Sequence, residues 1–242
     1  KGAAYFYRIN PRSGKFDLIQ TIDSPSPGLI GGDDDFGRSV SLYGNYLVIG
    51  DPTANPTGEG AAYFYRINPR SGKFDLVQTI DSPSEVSNDA FGLSVSLYGN
   101  YLVVGDNEAK NAPTDGKGAA YFYRINPRSG KFDLIQTIDS PSELDNDTFG
   151  ARVSLYGNYL VVGDYQAKDD PTFKGAAYFY RINPSSGKFD LIQTIDSSSE
   201  KDADNFGGSV SLYGNYLVVG DYDAKDAPTD GKGAVYFYKM DR

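Results

Sequence analysis

Aspartate side chains are the residues of this 242-residue sequence that could most readily bind a metal ion. Asp221, Asp223 and Asp226 stand close together in one loop. They offer the hard oxygen ligands that calcium prefers. The alternative is that loop aspartates cap turns by accepting hydrogen bonds from nearby backbone amides. We keep these three residues as weak candidates for a metal site, with turn capping as the competing interpretation.

Residues that would support catalysis are scarce. The chain has no His and no Cys, so the commonest general base and the thiol nucleophile are both missing. No Ser lies in a nucleophile-elbow pattern, and no phosphate-binding loop is present. Paired carboxylates could hydrolyse a glycoside, but that reaction needs an asymmetric pocket. We expect no enzymatic activity and no required cofactor.

Net charge and hydropathy exclude two classes of partner. The formal charge is −9 and the pI is near 4.5, so a nucleic-acid backbone would be repelled. The apolar runs have the length of strands, well short of the 18 residues that a membrane helix needs. We therefore expect neither nucleic-acid binding nor membrane insertion.

Internal repetition dominates the sequence. The motif Gly-Ala-Ala-Tyr-Phe-Tyr, or Gly-Ala-Val-Tyr-Phe-Tyr in its last copy, recurs with a period of about 58 residues, starting at Gly2, Gly60, Gly118, Gly175 and Gly233. A Phe-Gly pair recurs with it, at Phe36, Phe91, Phe149 and Phe206. A fixed period in this range indicates a repeat architecture.

Each unit predicts four antiparallel strands, here called A to D. In the second unit, Phe91–Leu97 alternates apolar and polar residues and predicts strand A. A Gly-Asn turn leads to strand B at Leu102–Val104. Ala119–Ile125 predicts strand C and Phe132–Ile138 predicts strand D, with a Pro- and Gly-containing turn between them.

A twisted four-stranded sheet repeated around an axis is a propeller blade. We predict an all-β fold, a β-propeller of about four antiparallel blades forming a single domain over residues 1–242. The predicted blades are about 36–80, 91–138, 149–195, and 206–242 completed by 1–22. In this interpretation the ring closes because the N-terminal D strand pairs with the C-terminal unit.

Ring closure leaves one C strand without a position. Either Ala3–Arg8 or Ala234–Lys239 must then be displaced, be disordered, or pair with another molecule. Strand exchange between copies of the chain is therefore one predicted mode of assembly. The residues that would mediate it are Ala3, Tyr5, Tyr7, Ala234, Tyr236 and Tyr238.

Length changes between units fall in two connections only. The D-to-A connection and the B-to-C connection vary in length, whereas the strands do not. Insertions are tolerated where the backbone is solvated, so these loops are predicted to be exposed. A specific binding site could lie there.

Tyrosine is abundant, with 20 residues, and recurs at two fixed places on either side of each Gly-Asn turn. These residues are Tyr43, Tyr98, Tyr156 and Tyr213, and Tyr46, Tyr101, Tyr159 and Tyr216. Repeated aromatic rings could stack on sugars and give one site in each blade. Alternatively, they cover the edge of each blade and direct their hydroxyl groups to solvent.

The pattern Phe-Gly-x-Ser-Val-Ser-Leu, followed by Leu-Val-Val-Gly-Asp and Gly-Ala-Ala-Tyr-Phe-Tyr, resembles the FG-GAP repeat of integrin-α-like β-propellers and bacterial surface proteins. The resemblance covers all four units. It implies a propeller and an extracellular or cell-surface location. Calcium-binding members carry aspartates between strands A and B, where this chain has only Tyr-Gly-Asn-Tyr, so the calcium site of the family is not carried over.

We therefore expect a non-enzymatic structural, adhesive or protein-interaction module, with a protein or a second copy as partner. The alternative is a lectin-like propeller that binds glycans at several equivalent sites.

Overall fold

A computed structural model describes residues 2–26, 35–55, 58–84, 89–109, 116–142, 147–167, 174–197, 205–224 and 233–240. These residues form seventeen β-strands and no α-helix. Accordingly, the described part of the chain has no helix that is long and apolar enough to span a membrane.

The strands form five antiparallel sheets. The N-terminal sheet has only two strands, β1 (Ala3–Ile9) and β2 (Phe16–Asp23). Sheet 1 consists of β3 (Ser39–Tyr43), β4 (Tyr46–Asp51), β5 (Ala61–Ile67) and β6 (Phe74–Asp81). Sheet 2 consists of β7 (Ser94–Tyr98), β8 (Tyr101–Asp106), β9 (Ala119–Ile125) and β10 (Phe132–Asp139).

Sheet 3 and the last sheet follow the same pattern. Sheet 3 consists of β11 (Arg152–Tyr156), β12 (Tyr159–Asp164), β13 (Ala176–Ile182) and β14 (Phe189–Asp196). The last sheet has β15 (Phe206–Tyr213), β16 (Tyr216–Asp221) and β17 (Ala234–Lys239). The prediction of all-β, four-stranded antiparallel units is confirmed, and strands A to D follow each other as a meander.

Successive sheets pack face to face, and the core lies between them. At the junction of sheets 1 and 2, Phe64 of strand C packs edge-on against Phe132 of strand D, with ring centroids 4.7 Å apart. The same pair recurs one junction later as Phe122 and Phe189, at 4.6 Å. Because both faces of an interior sheet are covered, its strands are apolar on both sides, as the sequence of strand B indicates.

The repeated Phe-Gly and Gly-Ala motifs allow close approach of backbones at each junction. Gly60, with φ of 79°, forms a parallel bridge to Phe91 in the next sheet. A Cβ on Gly60 would overlap the carbonyl oxygen of Phe91, so only glycine fits there.

Side chains also bond across each junction in the same way. The amide of Gln78 donates to the carbonyl oxygen of Phe132 (3.1 Å) and accepts from its N–H (2.8 Å). The hydroxyl of Ser96 accepts a hydrogen bond from the N–H of Leu155 (2.9 Å). These bonds fix the sheets in register, so the ends of equivalent strands are brought side by side.

The predicted closure of the ring is not what the structure shows. Strand β2 pairs with β1, and β17 pairs with β16, so the described N- and C-terminal strands do not pair with each other. The short turn between β1 and β2 makes their pairing local, and local pairing costs less chain entropy than closing the whole ring. Neither C strand is displaced, contrary to the sequence-based expectation. In the part of the chain that the structure describes, the first sheet consists of strands C and D and the last sheet of strands A to C.

Candidate binding groove

Each unit carries one buried aspartate at the end of strand B, and we call these residues the framing aspartates. They are Asp51, Asp106, Asp164 and Asp221. In sheet 2, Oδ1 of Asp106 accepts hydrogen bonds from the N–H of Glu108 (3.0 Å) and from the N–H of Ala90 (2.9 Å). One carboxylate thereby links the end of strand B to the segment that precedes strand A.

The same connection is made in sheet 3 and in the last sheet. Asp164 accepts from the N–H groups of Gln166 and Thr148, and Asp221 from those of Asp223 and Asn205. The Gly-Asp dipeptide therefore has a structural role. It fixes the backbone of the residues on either side of the strand ends.

Burial makes two of these carboxylates weaker acids. It raises the pKa of Asp106 to about 7, with Asp89 nearby acting in the same direction and the backbone N–H bonds opposing it. Burial likewise raises the pKa of Asp164 to about 7. An ionised carboxylate is disfavoured away from water, so the protonated form is favoured in the folded protein at mildly acidic pH.

A groove of about 680 Å³ crosses several units at this end of strands A and B, which we call the groove end. Its lining includes residues that flank the framing aspartates and the Phe-Gly pairs. They are Asp35, Arg38, Pro52, Thr53, Gly58, Asp89, Ala90, Leu93, Asn107, Glu108, Ala151, Arg152, Tyr165 and Tyr222.

Nearly every residue in this lining occupies a position at which the repeats differ. The residue before Phe-Gly, the two residues after it, and the two residues after the framing aspartate vary between units. Within strands A to C almost all other positions are the same in every unit. The variation within an otherwise uniform scaffold is thus concentrated in the groove.

Two of these positions vary in size in opposite directions: units with a large side chain at one have a smaller side chain at the other. Sheets 1 and 2 have a large residue after Phe-Gly, Arg38 or Leu93. Sheet 3 and the last sheet have a small residue there, Ala151 or Gly208, and a tyrosine after the framing aspartate. A Cβ on Gly208 would lie 2.7 Å from the ring of Tyr222, so the missing side chain makes room for that ring.

Arg152 introduces a cation into the tyrosine-containing half of the groove. In the other units this position is a serine, and Ser94 donates to the carbonyl oxygen of Gly150 (2.8 Å). Arg152 also bonds to the next sheet, but one residue further along it: its Nε donates to the carbonyl oxygen of Gly208 (3.1 Å), and its Nη1 donates to that of Ala151 (2.7 Å). The remaining N–H groups of the guanidinium extend the donor capacity beyond that of a serine.

Tyr165 and Tyr222 stand beside this guanidinium, with ring centroids 6.4 Å apart. The Tyr222 hydroxyl donates to Oδ1 of Asn205 (3.0 Å), which orients an otherwise exposed ring. Burial raises the pKa of Tyr222, and the charge of Arg152 acts in the opposite direction. Two aromatic rings and a guanidinium thus form one subsite, absent from the half that contains Arg38 and Leu93.

The opposite end of strands A and B, which we call the turn end, is uniform. Tyr43, Tyr98, Tyr156 and Tyr213 form a continuous ladder with ring centroids 4.8, 4.8 and 4.9 Å apart. The second tyrosine of each turn packs on a strand-C phenylalanine, as Tyr101 does on Phe122 at 5.4 Å. Both sets of rings therefore contact other aromatic rings of the protein.

The predicted metal candidates are not assembled into a site by the described residues. Asp221 is a framing aspartate bonded to backbone N–H groups, and Asp223 follows it in the turn. Asp226 lies outside the described residues. Within the described ranges, no three His, Cys, Asp or Glu side chains are close enough together to hold a metal ion.

The residues predicted to mediate strand exchange lie on the C strands of the two end sheets. Tyr5 and Tyr7 are exposed, whereas Ala3, Ala234, Tyr236 and Tyr238 are half-buried. The groove itself was missed by inspection of motifs, which are by definition the constant positions. The signal that locates the groove is the short set of positions at which the aligned units differ.

The fold and the groove define a class of protein: an all-β repeat module with a groove of variable residues at one end of its strands. A family model described as FG-GAP repeat matches residues 31–65, 77–123, 141–180 and 192–238. This chain belongs to the FG-GAP repeat family. A comparison of the sequence with curated proteins gives no match.

Proposed function

We propose that this chain is a non-enzymatic protein-interaction module of the β-propeller type, and that it binds an extended polypeptide segment in the groove. The observation that carries the proposal is the concentration of differences between repeats in the groove lining. A purely structural repeat has no reason to vary at contiguous surface positions while its other surfaces stay uniform. FG-GAP membership supports an interaction role.

The chemistry of the lining favours protein over small-molecule ligands. Tyrosine and arginine are the residues enriched at protein interfaces and at their energetic hot spots. Here Tyr165, Tyr222 and Arg152 supply them in one half of the groove, while Asp35 and Glu108 add negative charge in the other. A groove with aromatic rings and charges of both signs suits a segment that presents several side chains in succession.

Selection from a random peptide library tests this function. Peptides that bind the chain should bind Tyr222→Ala and Arg152→Ser at least tenfold more weakly, because each substitution removes a group of the subsite. Arg152→Ser restores the residue of the other units, and a serine at this position bonds to the next sheet in sheets 1 and 2. The matched control is Tyr213→Ala, which removes an equally exposed tyrosine of the last sheet at the turn end.

Two results would contradict the proposal. One is that no peptide is enriched over a chain-free control. The other is that enriched peptides bind Tyr222→Ala and Arg152→Ser as tightly as the parent chain, or lose affinity only for Tyr213→Ala.

The lectin-like alternative is favoured by a different observation, a pocket that recurs at successive turns. Two equivalent pockets of about 530 and 500 Å³ are lined by the turn tyrosines and by the strand-C arginine, Arg66 in one and Arg124 in the next. Their repetition suits several identical weak sites. Glycan-array binding that is lost in Tyr101→Ala and retained in Tyr222→Ala would favour this function over the first.

An extracellular or cell-surface location and independence from metal are part of the proposal. The first rests on the habit of the family, and the second on the absence of carboxylates from the A–B turns. A ligand that binds only the native state raises the melting temperature. We expect the melting temperature to be the same in about 5 mM calcium as in a chelator. A rise of several degrees in calcium would contradict metal independence.

A further inference from the structure

The turns between strands C and D carry a repeated excess of cations at the turn end. Each turn runs from an arginine near the end of strand C to an aspartate near the start of strand D, and the four segments are 8–17, 66–75, 124–133 and 181–190. Together they contain eleven Lys and Arg against four Asp, a net charge of +7. Since the whole chain carries −9, the remaining residues carry −16. Charge of opposite sign is thus separated within the molecule.

An asparagine, and not an arginine, holds the aspartate of each turn. In sheet 2, Nδ2 of Asn126 donates to Oδ2 of Asp133 (2.8 Å), and its Oδ1 accepts from the N–H of Arg128 (2.9 Å). The Lys and Arg side chains of these turns are all exposed. Within the described residues, none of them forms an ion pair or donates a hydrogen bond. Their charge is available to an anion from outside the chain.

Successive C–D turns lie side by side, so their cations form a continuous surface. Nη1 of Arg66 in sheet 1 lies beside Gly130 in the turn of sheet 2, 3.7 Å from where a Cβ would stand. Arg124 lies in the same way beside Gly187 in the turn of sheet 3 (3.8 Å). We call the Lys and Arg side chains of the four C–D turns the cation row. Because packed sheets lie about 10 Å apart, the row repeats about every 10 Å.

The acidic remainder of the chain does not cancel the cation row. A seven-residue strand such as β9 is about 20 Å long, and it separates the turn end from the groove end. At physiological ionic strength the Debye length is only about 8 Å. The local charge of the row, and not the net charge of the chain, therefore decides which ligands bind at the turn end.

Polar pockets open beside the arginines of the row. The two equivalent pockets of about 530 and 500 Å³ each lie between two sheets, and each is lined by a strand-C arginine, a turn proline and asparagines of both sheets. Asparagine amides and the tyrosine hydroxyls of this lining can both donate and accept hydrogen bonds. A ligand of this surface should accordingly carry hydroxyl groups between its anionic groups.

Other polyanions fit the cation row less well. The phosphates of a nucleic-acid strand repeat about every 3.4 Å, roughly three times as often as the row. Bases also need free aromatic faces to stack on, whereas the turn tyrosines contact one another. The C–D turns have no large apolar side chain to enter a lipid surface, as 126–131 shows. Sparse charge with polar pockets between the cations favours a charged sugar polymer.

We propose that the turn end binds a linear acidic polysaccharide, which lies along the cation row. Its carboxylate or sulfate groups meet the strand-C arginines, because a guanidinium offers several donors to anionic oxygens. Its hydroxyl groups occupy the pockets between successive sheets. The proposal does not depend on peptide binding in the groove. It differs from the lectin-like alternative in its requirement for charge on the glycan.

Titration of the full chain with sugar polymers of matched length tests the proposal. Dextran sulfate and polygalacturonate should both bind at low salt, whereas neutral dextran should not. Affinity for the two acidic polymers should fall steeply as salt is raised, because binding releases counterions.

The repeats supply a variant that keeps the turn intact. Sheet 3 has Ser185 where sheet 2 has Arg128, and the N–H of Ser185 makes the same bond to Asn183 (2.9 Å). Arg128→Ser should therefore fold normally and bind the acidic polymers about fivefold more weakly, and Ser185→Arg should bind them more tightly by a similar factor. The control with the same change in net charge as Arg128→Ser is Lys174→Gln, which lies before strand C at the groove end. It should alter affinity by less than about twofold.

Several results would contradict the proposal. It is wrong if neither acidic polymer binds, or if Lys174→Gln weakens binding as much as Arg128→Ser. Equal affinity for duplex DNA or for anionic lipid vesicles at the same salt would show a general cationic surface and would also contradict it, and binding of neutral glycans alone would favour the lectin-like alternative. Tyr222→Ala should leave polysaccharide binding unchanged, so this proposal and the groove function can fail separately. A loss in that variant would place the polysaccharide in the groove.

Discussion

The groove end and the turn end of strands A and B are built by the same strands but differ in how they are fixed. At the groove end, backbone atoms and buried carboxylates hold the loops, and the side chains are left to vary. At the turn end, side chains hold each other in an unbroken tyrosine ladder. A surface that is held through its backbone can change its side chains without loss of the fold. A surface that is held through its side chains cannot.

The largest expected effect is a change to the backbone packing of the groove end. In Gly105→Ala the added Cβ would overlap the carbonyl oxygen of Gly150 in the next sheet. We expect a loss of about 3 kcal/mol or more in the free energy of unfolding, as for other overpacked core positions. The matched change at the turn end is Gly99→Ala, which has free space around it and a φ of 58°. It should cost about 1 to 2 kcal/mol, and urea denaturation of both variants measures the difference. Equal losses of stability in the two variants would contradict the difference in packing between the groove end and the turn end.

A smaller effect is expected from pH through the framing aspartates. The pKa of Asp106 is raised in the folded protein, so the folded state binds more protons than the unfolded state between pH 4 and 7 (approximately). The free energy of unfolding should therefore fall as pH rises through this window, by a few kcal/mol for Asp106 and Asp164 together.

The substitution Asp106→Asn should reduce this pH dependence by about half, because an amide does not ionise. Thermal melts at a series of pH values would show it. The exposed Asp23→Asn serves as a control and should leave the slope unchanged. A stability that rises with pH across the same window would show that these carboxylates are stabilised as anions.

The tyrosine ladder is expected to contribute a moderate amount. Tyr156 contacts a ring on each side, whereas Tyr213 at the end of the ladder contacts one. Since an aromatic pair contributes about 0.5–1.5 kcal/mol beyond its buried area, Tyr156→Ala should cost roughly twice as much as Tyr213→Ala. Equal costs, measured by denaturation, would mean that the rings do not act as a ladder.

The smallest effect on stability is expected from the groove lining. Gly208→Ala places a methyl group against the ring of Tyr222, which is exposed and can rotate away. The free energy of unfolding should change by less than about 1 kcal/mol, while peptide binding falls several-fold because the subsite loses its shape. Asn205→Ala removes only the partner of the Tyr222 hydroxyl and should reduce peptide binding less. A large loss of stability in either variant would show that the lining is structural.

Much of the fold was predictable because its signals are local. Alternating residues placed strand A, the Gly-Asn turn placed the A–B hairpin, and Ala119–Ile125 was predicted with its observed bounds. The closure of the ring was wrong because the sequence shows which strands can pair but not which of two equivalent partners is chosen. The groove depends on side chains of different units that meet only after the sheets have stacked, as Arg152 and Gly208 do. The groove nevertheless lies near the loops of variable length, where the sequence predicted that a binding site could lie.

The serine-to-arginine change at position 152 has a consequence for engineering. Its Nε bonds to the next sheet at the carbonyl oxygen of Gly208, whereas the hydroxyl of Ser94 bonds to that of Gly150, so a cation is present at this position while a side-chain bond between sheets is kept. The five lining residues of each unit can therefore be changed independently of those in the other units. A library in which these five residues are exchanged among the units would sample many binding specificities on one scaffold of nearly constant stability.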